Sequence, residues 1–570
     1  MKNFRSKKGS VINEEETIKF SFDGNKFSGF KGDTLSSALL ANGIHLVGRS
    51  FKYHRPRGIL SAGSEEPNAI ITFDRGEGKI TPNVRATTLE IFNRLQSFSQ
   101  NSYPNLKFDI GAFNNVFSIF FPAGFYNKTF MWPKSFWDKV YEPFIRNLAG
   151  LGPAPLSEDT DNYASCYGHC ETLIIGSGPA GIAAALAASQ TEGRVILVDE
   201  QSEIGGSLLS SSNKKIDNLS SEQWLSKALN TLKKSNNVKL MTRTTAIGYW
   251  HDNFVALSER LTDHLSQVPE GSAREQLHRI RARRVILAQG AIERPLVFNG
   301  NDRPGIMLSN AAQTYLNKYG VRVGDNISVF TSHDSAYETA FEMCDAKVNV
   351  SVIIDLRKEV NADLLAEANS RGIEVHLNSS ISRTYGKLRI NAFEVYSPIQ
   401  NKKFIVKCDA LIMSGGWTPS LHLWSHSKGS IKWDKSISAY IPDKANENVC
   451  CIGACNGNFG IEKALNEGNS VFNNNKKYVV QEQSFGSGVV LNTIPNYLKK
   501  EKQKAFVDFQ NDVTEKDISL AVQEGFKSIE HVKRYTTNGM ATDQGKTSNL
   551  NALEIASREV GRSIEKVGLT

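Results

Sequence analysis

The stretch from Glu171 to Glu200, ETLIIGSGPAGIAAALAASQTEGRVILVDE, decides the fold. It begins with an apolar strand, LII, and continues into the glycine pattern Gly176-x-Gly178-x-x-Gly181. An alanine-rich segment typical of a helix follows, and a second apolar strand, VILV, leads to the terminal acid. A strand, a glycine turn, a helix, a second strand and an acid, in this order within about 30 residues, predict a βαβ unit that binds a dinucleotide.

Each position of the turn has a physical reason. Gly176 permits the tight turn, Gly178 lets the backbone approach a pyrophosphate, and Gly181 lets the helix pack closely on the strand. The helix N-terminus beyond Pro179 offers free N–H groups and a positive dipole end to phosphates. An acid at Glu200 accepts from ribose hydroxyls, which favours NAD or the ADP half of FAD over a nucleotide with a 2′-phosphate. The predicted cofactor-binding residues are Gly176, Gly178, Pro179, Ala180, Gly181, Asp199, Glu200, Gln201, Gly206, Gly290 and Gly453.

Two later segments fit the plan of a flavoprotein with two dinucleotide-binding domains. The segment RRVILAQGAIERP, residues 283–295, predicts a strand that ends in a turn of small residues around Gly290. The segment VCCIGACNGNFGIEKALNEG, residues 449–468, predicts a strand, a glycine-rich turn and a helix around Gly453. We expect both turns to pass close to the cofactor, because glycine leaves room for such an approach.

A second βαβ pattern lies between these two segments. It consists of DNISVFTSHDSAYETAFEM, residues 325–343, and AKVNVSVIIDLRKE, residues 346–359, with Asp355 at the acid position. Its turn, TSHDSA, contains no glycine, and a Cβ at those places obstructs the approach of a pyrophosphate. We therefore expect this unit to have a structural role.

The N-terminal region predicts a small domain with a hairpin and a helix. Asp23-Gly24 is a two-residue hairpin signal between strand-like runs. The segment DTLSSALLANG predicts a short helix with Asp33 or Thr34 as its cap and Gly43 at its end. A hairpin, a helix and an irregular loop in this order resemble the β-grasp of plant-type ferredoxins. The loop Arg49–Ala69 contains no cysteine, and because iron requires thiolate ligands we expect the domain to lack a cluster.

Composition excludes several classes of protein. A chain of 570 residues exceeds one hydrophobic core, so we expect three or four modules. The net charge of +8 comes from scattered basic residues, which argues against nucleic acid as a partner. Seven cysteines in so long a chain favour a reducing compartment, and the N-terminus lacks the apolar core of a signal peptide, so we expect a cytoplasmic protein. The most apolar stretch, around residues 118–125, is too short and interrupted to span a membrane.

The predicted fold class is α/β. It combines a Rossmann-like flavoprotein fold with two dinucleotide-binding domains, an N-terminal ferredoxin-like β-grasp domain and a helical C-terminal segment. The aromatic stretch between the first two modules is interpreted as a packed connector whose Trp and Phe residues lie in the core or at a subunit interface. The expected modules are a β-grasp domain without a cluster (1–95), a connector (96–168), the first part of the nucleotide-binding domain (169–310), an inserted second βαβ domain (311–410), the last part of the nucleotide-binding domain (411–490) and a helical C-terminal domain (491–570).

Long strings along the chain resemble a known family, the α subunits of heterotetrameric sarcosine oxidase, with the related opine oxidase and cyanide synthase subunits. The strings include RSFKYHRPRGILSAGSEEPNA, PAGFYNKTFMWP, FWDKVYEPFIR, LAQGAIERPLVF, SGGWTPSLHLWSH, AFVDFQNDVTEKDI and EGFKSIEHVKRYTTNGMATDQGKTSN, and they cover about residues 49–549. The resemblance implies NAD on this subunit, a β subunit that carries FAD and the amine-oxidising site, FMN near the contact between α and β, and small γ and δ subunits.

The chain departs from this family in ways that affect chemistry. The family's α chain continues into a folate-binding aminomethyltransferase-like domain, whereas this sequence stops at KVGLT, so we expect either a split gene or a fragment. The C-terminal segment resembles bacterioferritin-associated ferredoxin modules but has no cysteine after Cys455 to hold a cluster. The pair Cys166 and Cys170 is expected before the first strand, away from a flavin. We expect Cys450, Cys451 and Cys455 to pack in the core rather than bind metal.

The sequence leaves the catalytic residues unknown, because its histidines are isolated and no acid–base pair is apparent. One polar stretch, residues 530–546, is a candidate contact for a flavin phosphate or for the β subunit. The leading interpretation is an NAD-binding subunit of a flavoprotein oxidase for sarcosine or a similar N-methyl amino acid. The alternatives are a self-sufficient NAD(P)H-dependent flavin reductase and a non-catalytic scaffold stabilised by its nucleotide.

Overall fold

The computed structural model describes all residues except 1–2, 7–8, 77–78, 126–127, 129, 148–149, 212–213, 400, 475, 482–502 and 569–570.

Local sequence signals shape the N-terminal domain as predicted. Asp23 and Gly24 both have positive φ angles, of 47° and 76°, as a two-residue hairpin requires. Thr34 caps the helix by accepting a hydrogen bond from the Ser37 N–H at 3.3 Å. The elements are β1 (Asn13–Phe22), β2 (Asn25–Lys31), α1 (Leu35–Ala41), β3 (Gly48–Arg49), β4 (Pro56–Arg57), β5 (Ile70–Asp74), β6 (Ile80–Arg85) and β7 (Gln96–Ser99).

Five of these strands form one sheet in the order β2-β1-β7-β5-β6. β7 pairs with both β1 and β5, so the sheet extends beyond residue 95, where we placed the end of the domain. Ile18, Phe20 and Phe22 alternate with exposed residues along β1, and this alternation directs one face of the sheet into the core.

The aromatic segment that follows is only partly packed. It contains α2 (Phe113–Val116), α3 (Glu142–Asn147) and short 3-10 and π turns. Its large apolar side chains are widely exposed: Ile119 is 80% accessible, Phe120 59% and Trp132 83%. The expectation of a packed connector is therefore wrong for these side chains, and the interface interpretation is the one that the structure leaves open.

The described residues of the nucleotide-binding region form a seven-stranded sheet in the order β12-β9-β8-β15-β14-β13, with β28 (Val449–Cys451) beside β15. The elements are β8 (Asn162–Ile175), α4 (Pro179–Ala188), β9 (Val195–Val198), β10 (Lys215–Ile216), β11 (Leu219–Ser220), α5 (Ser221–Lys234), β12 (Val238–Met241), β13 (Thr244–Trp250), β14 (Phe254–Arg260), β15 (Ala273–Leu287) and β16 (Ala291–Glu293). Parallel pairing of β12, β9, β8, β15 and β28 produces the predicted Rossmann-like arrangement.

β8 begins nine residues earlier than the predicted start at Glu171, because its polar first half pairs with the equally polar start of β15. Cys166 and Cys170 therefore lie within this strand and not before it. Four residues along a strand separate their Cα atoms by about 13 Å, too far for a disulfide.

The second βαβ unit forms a five-stranded parallel sheet in the order β17-β24-β18-β19-β20. A single hydrophobic core joins this sheet to the N-terminal domain, with Phe20 and Leu39 on one side and Val329 and Ile353 on the other. Its elements are β17 (Ile306–Leu308), α6 (Ser309–Asn317), β18 (Asn326–Thr331), α7 (Ser335–Asp345), β19 (Asn349–Asp355), α8 (Ala362–Ser370), β20 (Glu374–His376), β21 (Ser380–Tyr385), β22 (Ala392–Ser397), β23 (Lys402–Lys407) and β24 (Ala410–Ser414).

The chain then returns to the first sheet and ends in helices. The returning elements are β25 (Trp417–Pro419), α9 (His422–His426), β26 (Ile431–Asp434), β27 (Ala439–Pro442), β28 (Val449–Cys451), α10 (Ile461–Ser470) and β29 (Val480–Gln481). The expected boundary near residue 490 lies outside the described residues. The C-terminal segment contains β30 (Phe506–Asp508), β31 (Val513–Thr514), α11 (Glu515–Gln523), α12 (Ile529–Thr536), α13 (Asn549–Val560) and α14 (Ile564–Val567).

Candidate nucleotide-binding site

The glycine turn after β8 faces a cavity of about 490 Å³. The end of β9, the loop after β15, helix α6, an N-terminal loop at residues 62–65 and Lys546 of the C-terminal segment complete its walls. Nine of the eleven predicted cofactor-binding residues line this cavity: Gly176, Gly178, Pro179, Ala180, Asp199, Glu200, Gln201, Gly206 and Gly290.

The three glycines of the turn have different roles. Gly176 has a φ of +101°, and a Cβ on it would lie 2.3 Å from the carbonyl oxygen of Ala288, so both its conformation and its surroundings demand glycine. A Cβ on Gly181 would lie 1.9 Å from the carbonyl oxygen of Gly176, within the packing of helix on strand. A Cβ on Gly178 would meet no protein atom within 4 Å. Only the middle glycine therefore leaves space for a ligand.

Gly453 also has a packing role. Its φ is +69°, and a Cβ on it would lie 2.8 Å from the Cβ of Ala180, where the turn after β28 crosses the start of α4. Its N–H donates to a carboxylate oxygen of Glu467 at 2.6 Å. Gly453 and Gly181 thus lie behind the cavity wall and support it.

The two acids at the end of β9 divide their tasks. The Asp199 carboxylate accepts from the Ser177 N–H and hydroxyl at 2.8 and 2.6 Å, and from the Gln201 N–H at 2.9 Å. Asp199 therefore holds the glycine turn in place. Glu200 faces the cavity, where one carboxylate oxygen accepts from the Ser64 hydroxyl at 2.9 Å. Burial raises the pKa of Glu200, and the nearby Lys546 ammonium opposes that rise.

Several cavity residues could not be identified from the sequence. Lys546 lies at the end of the polar stretch 530–546 that we considered a cofactor or subunit contact, and it reaches the cavity beside Ser64. Lys318 of the helix α6 region donates from Nζ to the Gln201 side-chain oxygen at 2.5 Å. His422 also lines the cavity, and burial, with a contribution from Lys546, lowers its pKa to about 4, so the imidazole is neutral at pH 7.

The carboxylate at the acid position of the second βαβ unit already accepts hydrogen bonds from groups of the protein itself. The Asp355 carboxylate accepts from the Arg357 backbone and side chain at 2.7 to 3.0 Å and from the Tyr337 hydroxyl at 3.0 Å. Arg357 also binds Asp334, at the start of α7, at 2.6 Å. A carboxylate at this helix start repels phosphates, and Asp355 has its acceptors engaged, so these contacts support the structural role expected of the unit.

The three C-terminal cysteines pack as expected. Cys450 and Cys451 lie on β28, and the buried Cys455 thiol donates to the carbonyl oxygen of Leu287 at 3.0 Å. Within the part of the chain that the structure describes, no group of three or more His, Cys, Asp and Glu side chains could hold a metal ion. The same part contains no helix both long and apolar enough to cross a membrane.

The fold and the cavity together define an oxidoreductase with the two-domain architecture that binds dinucleotides. Residues 171–468, just over half of the chain, match the family model described as Pyridine nucleotide-disulphide oxidoreductase. The chain therefore belongs to this oxidoreductase family. The L-proline dehydrogenase from P. horikoshii aligns with a TM-score of 0.68 and 18% identity, over 100% of this chain and 96% of that one, which shows a shared fold.

The more particular relatives are α subunits of sarcosine oxidase. The chain is 42% identical over its full length to sarcosine oxidase subunit alpha of Rhizobium meliloti (strain 1021), covering 58% of that protein. It is 33% identical over 97% of its length to sarcosine oxidase subunit alpha of Corynebacterium sp. (strain U-96), covering 54% of that protein. Residues 502–570 match the Sarcosine oxidase A3 domain. These similarities confirm the resemblance stated above, and the chain spans little more than half the length of these relatives.

The N-terminal match confirms a ferredoxin-like fold. Residues 15–102 match the family described as 2Fe-2S iron-sulfur cluster binding domain. The first cysteine of the chain is Cys166, so the matched region has no thiolate to offer iron. The residues present do not fit the cluster that the family's description names.

Proposed function

We propose that this chain is the NAD-binding α subunit of a cytoplasmic, multi-subunit flavoprotein oxidase that demethylates sarcosine or a similar N-methyl amino acid. The observation that carries the proposal is the cavity between the glycine turn and Glu200, in a chain that resembles sarcosine oxidase α subunits along its full length. A β subunit carries FAD and the amine site, FMN lies at the contact between α and β, and γ and δ subunits complete the assembly. Electrons pass from FAD to FMN and O₂, and the products are formaldehyde and hydrogen peroxide.

The residues around the cavity fit a dinucleotide. The open space at Gly178 and the N-terminal turn of α4 suit the pyrophosphate, because Gly178 has no side chain and the turn after Pro179 presents backbone N–H groups. Glu200 is the acceptor for ribose hydroxyls, and Ser64 orients its carboxylate. The Lys546 ammonium favours the ionised, accepting form of that carboxylate. When bound, NAD supplies the capacity to accept or donate a hydride.

The exposed aromatic segment suits the contact with the β subunit. Phe113, Ile119, Phe120 and Trp132 are each more than half accessible to solvent. Exposed apolar side chains gathered in one segment mark association sites, and Trp and Phe are enriched in the cores of such interfaces. We assign no acid–base pair for amine oxidation to this chain and place that chemistry on the β subunit.

The contacts of the second βαβ unit disfavour the alternative of a self-sufficient flavin reductase. Such an enzyme needs a second nucleotide site, and in the second unit the carboxylates of Asp334 and Asp355 are both already paired with Arg357. A non-catalytic scaffold differs from the proposed subunit only in whether the assembled complex turns over. The complex, and not the lone chain, is therefore the proper object of the test.

The decisive experiment is anaerobic reduction of flavin by sarcosine, followed by absorbance. The lone chain, reconstituted with FAD, FMN and NAD, should remain oxidised, whereas the complex with the β subunit should be reduced and should form peroxide once air is admitted. Full reduction of the lone chain would place the amine site here and overturn the proposal. A complex that binds flavin without being reduced would favour the scaffold.

Substitutions in the aromatic segment test the proposed contact. Trp132→Ser removes an exposed side chain from the segment and should weaken binding of the β subunit at least ~10-fold, as truncation of an interface Trp commonly does. Trp250→Ser is the matched control, because Trp250 is 51% exposed on β13, away from the segment. Equal affinity of both variants and the unmodified chain would contradict the assignment of this surface.

A further inference from the structure

A cysteine, a histidine and a carboxylate form a row across the three strands β8, β15 and β14. The Cys166 sulfur lies 3.1 Å from Nδ1 of His278, and Nε2 of the same ring lies 2.7 Å from a carboxylate oxygen of Glu259. A hydrogen-bonded nucleophile, base and orienting carboxylate in this order are the geometric signature of an activated nucleophile. None of these residues lines the cavity described above.

The strand register holds the row in place. Cys166 is the direct partner of His278 in the parallel pair of β8 and β15, so the two side chains lie on the same face of the sheet. Glu259 is the direct partner of Gln276 in the antiparallel pair of β14 and β15, one side-chain step from His278 on that face. The Gln276 amide nitrogen also lies 3.2 Å from the Cys166 sulfur and can donate to it.

The exposure of the three residues suits a reactive thiol. His278 is 4% exposed, so its ring has a fixed environment, whereas Cys166 is half-buried and within reach of a small solute. The groups form a chain of hydrogen bonds and do not converge on one point. This agrees with the lack, among the residues that the structure describes, of three side chains grouped to hold a metal.

We propose that Cys166 is a nucleophilic thiol, with His278 as its base and Glu259 as the positioning carboxylate, and that hydrogen peroxide oxidises it to a sulfenic acid. His278 Nδ1 takes the thiol proton, and the sulfur attacks one oxygen of the peroxide. The O–O bond breaks as the S–O bond forms, and the departing hydroxide takes the proton from the imidazolium to become water. The sulfur loses two electrons and the peroxide gains them, so that thiol and peroxide yield sulfenic acid and water.

The other cysteines differ from Cys166 in their surroundings. Burial raises the pKa of Cys170 and of Cys408 to about 12, which suppresses their thiolates at neutral pH. Cys344 is half-buried like Cys166, but burial raises its pKa and its strongest charged neighbours are Arg371 and Asp345. Cys344 is therefore the matched internal reference for reactivity.

The test treats the full chain with hydrogen peroxide and traps sulfenic acid with a dimedone probe, quantified for each cysteine by mass spectrometry. Cys166 should be labelled at least ~10-fold faster than Cys344. Loss of a general base commonly lowers a rate by about 10² to 10⁴, so His278→Gln should slow labelling of Cys166 roughly 100-fold. Glu259→Gln should slow it by about 10-fold, because the amide no longer stabilises the imidazolium.

Two controls keep the result clear. Glu275→Gln removes a carboxylate from the opposite face of β15 and should leave the labelling rate unchanged. Should circular dichroism show that His278→Gln does not fold, Glu259→Gln decides, since the Glu259 side chain is 22% exposed and tolerates replacement better. Equal rates for Cys166 and Cys344, or an unchanged rate of Cys166 labelling in folded His278→Gln or Glu259→Gln, would overturn the proposal. The assay uses added peroxide and no sarcosine, so its failure leaves the proposed function untouched.

Discussion

Gly178→Val should abolish nucleotide binding while the fold persists. Position 178 has a φ of −72°, which any residue adopts, and its Cβ would meet no protein atom within 4 Å. The space that a valine would fill is the cavity at the start of α4, where the pyrophosphate is proposed to lie. The two methyl groups therefore compete with the ligand and not with the protein.

The magnitudes separate binding from stability. Replacing glycine at a compatible φ stabilises the folded protein by about 0.4–1 kcal/mol, because it reduces the conformational entropy of the unfolded chain. A branched apolar residue is a poorer helix N-cap than glycine, and we expect this effect to offset most of that gain. The net change in unfolding free energy of the nucleotide-free protein should stay within about 1 kcal/mol. Loss of binding should be at least ~100-fold, which corresponds to about 2.7 kcal/mol.

Gly181→Ala is the contrasting variant. Its Cβ would lie 1.9 Å from the Gly176 carbonyl oxygen, so helix α4 must shift from its strand, and overpacking of this kind costs about 1–3 kcal/mol. A further control, Gln190→Val, adds the same side chain in the exposed turn just after α4 and should alter neither property.

The assay has two readouts on the same preparations. Nucleotide is released with acid and quantified by chromatography, and urea unfolding of nucleotide-free protein gives the stability. Stripping the nucleotide first is necessary, because a bound ligand itself raises apparent stability. The expected pattern is loss of nucleotide without loss of stability for Gly178→Val. Unchanged nucleotide content in that variant would refute the assignment of the cavity.

Three further predictions concern other parts of the chain. Burial raises the pKa of Glu293 from 4.5 to about 8, so the folded chain holds a proton that the unfolded chain releases. The contribution of this proton to stability is complete below about pH 4 and is lost as the pH rises through about 8. Between pH 6 and pH 8.5, the free energy of unfolding measured in urea should therefore fall less for Glu293→Gln than for the unmodified chain, and equal falls would contradict this. Arg55 and Arg57 share the buried Asp302 carboxylate, and Arg57 also pairs with Asp512, so Asp302→Asn leaves two buried guanidinium groups with one carboxylate. This change should cost about 3 kcal/mol in the same assay, whereas a change below 1 kcal/mol would show that these ion pairs are dispensable. Iron and acid-labile sulfide analysis should find neither in the N-terminal domain, and stoichiometric iron there would show that its ligands were misread.

The features predicted correctly from the sequence are those that neighbouring residues determine. The hairpin at Asp23-Gly24 and the helix capped by Thr34 follow from the conformational preferences of a few consecutive residues. The early start of β8 could not be predicted, because its polar first half is strand only through pairing with β15, more than a hundred residues away. Pairing of this range leaves no periodic apolar pattern in the sequence.

The residues that line the cavity show the same contrast between features set by neighbouring residues and features set by distant contacts. The glycine turn and Glu200 come from one continuous unit and were identified together. Ser64 and Lys546 come from opposite ends of the chain, and nothing local in their sequences places either beside that carboxylate. Asp355 lies at the end of its strand, as the sequence predicts. Its hydrogen bond from Arg357 depends on the conformation of the arginine side chain, which sequence spacing alone does not determine.

Two of the three glycines in the pattern Gly176-x-Gly178-x-x-Gly181 give no information about a bound ligand. Gly176 and Gly181 are both required by contacts within the protein, with a carbonyl oxygen 2.3 or 1.9 Å from the Cβ that another residue would add. The first βαβ unit would therefore need both glycines even without a nucleotide. Gly178 alone is free of such a constraint, so only its identity depends on what occupies the cavity. The second βαβ unit has the strands and helix but no glycine in its turn, so the need for Gly176 and Gly181 comes from the close contacts of the first unit and not from the βαβ architecture itself.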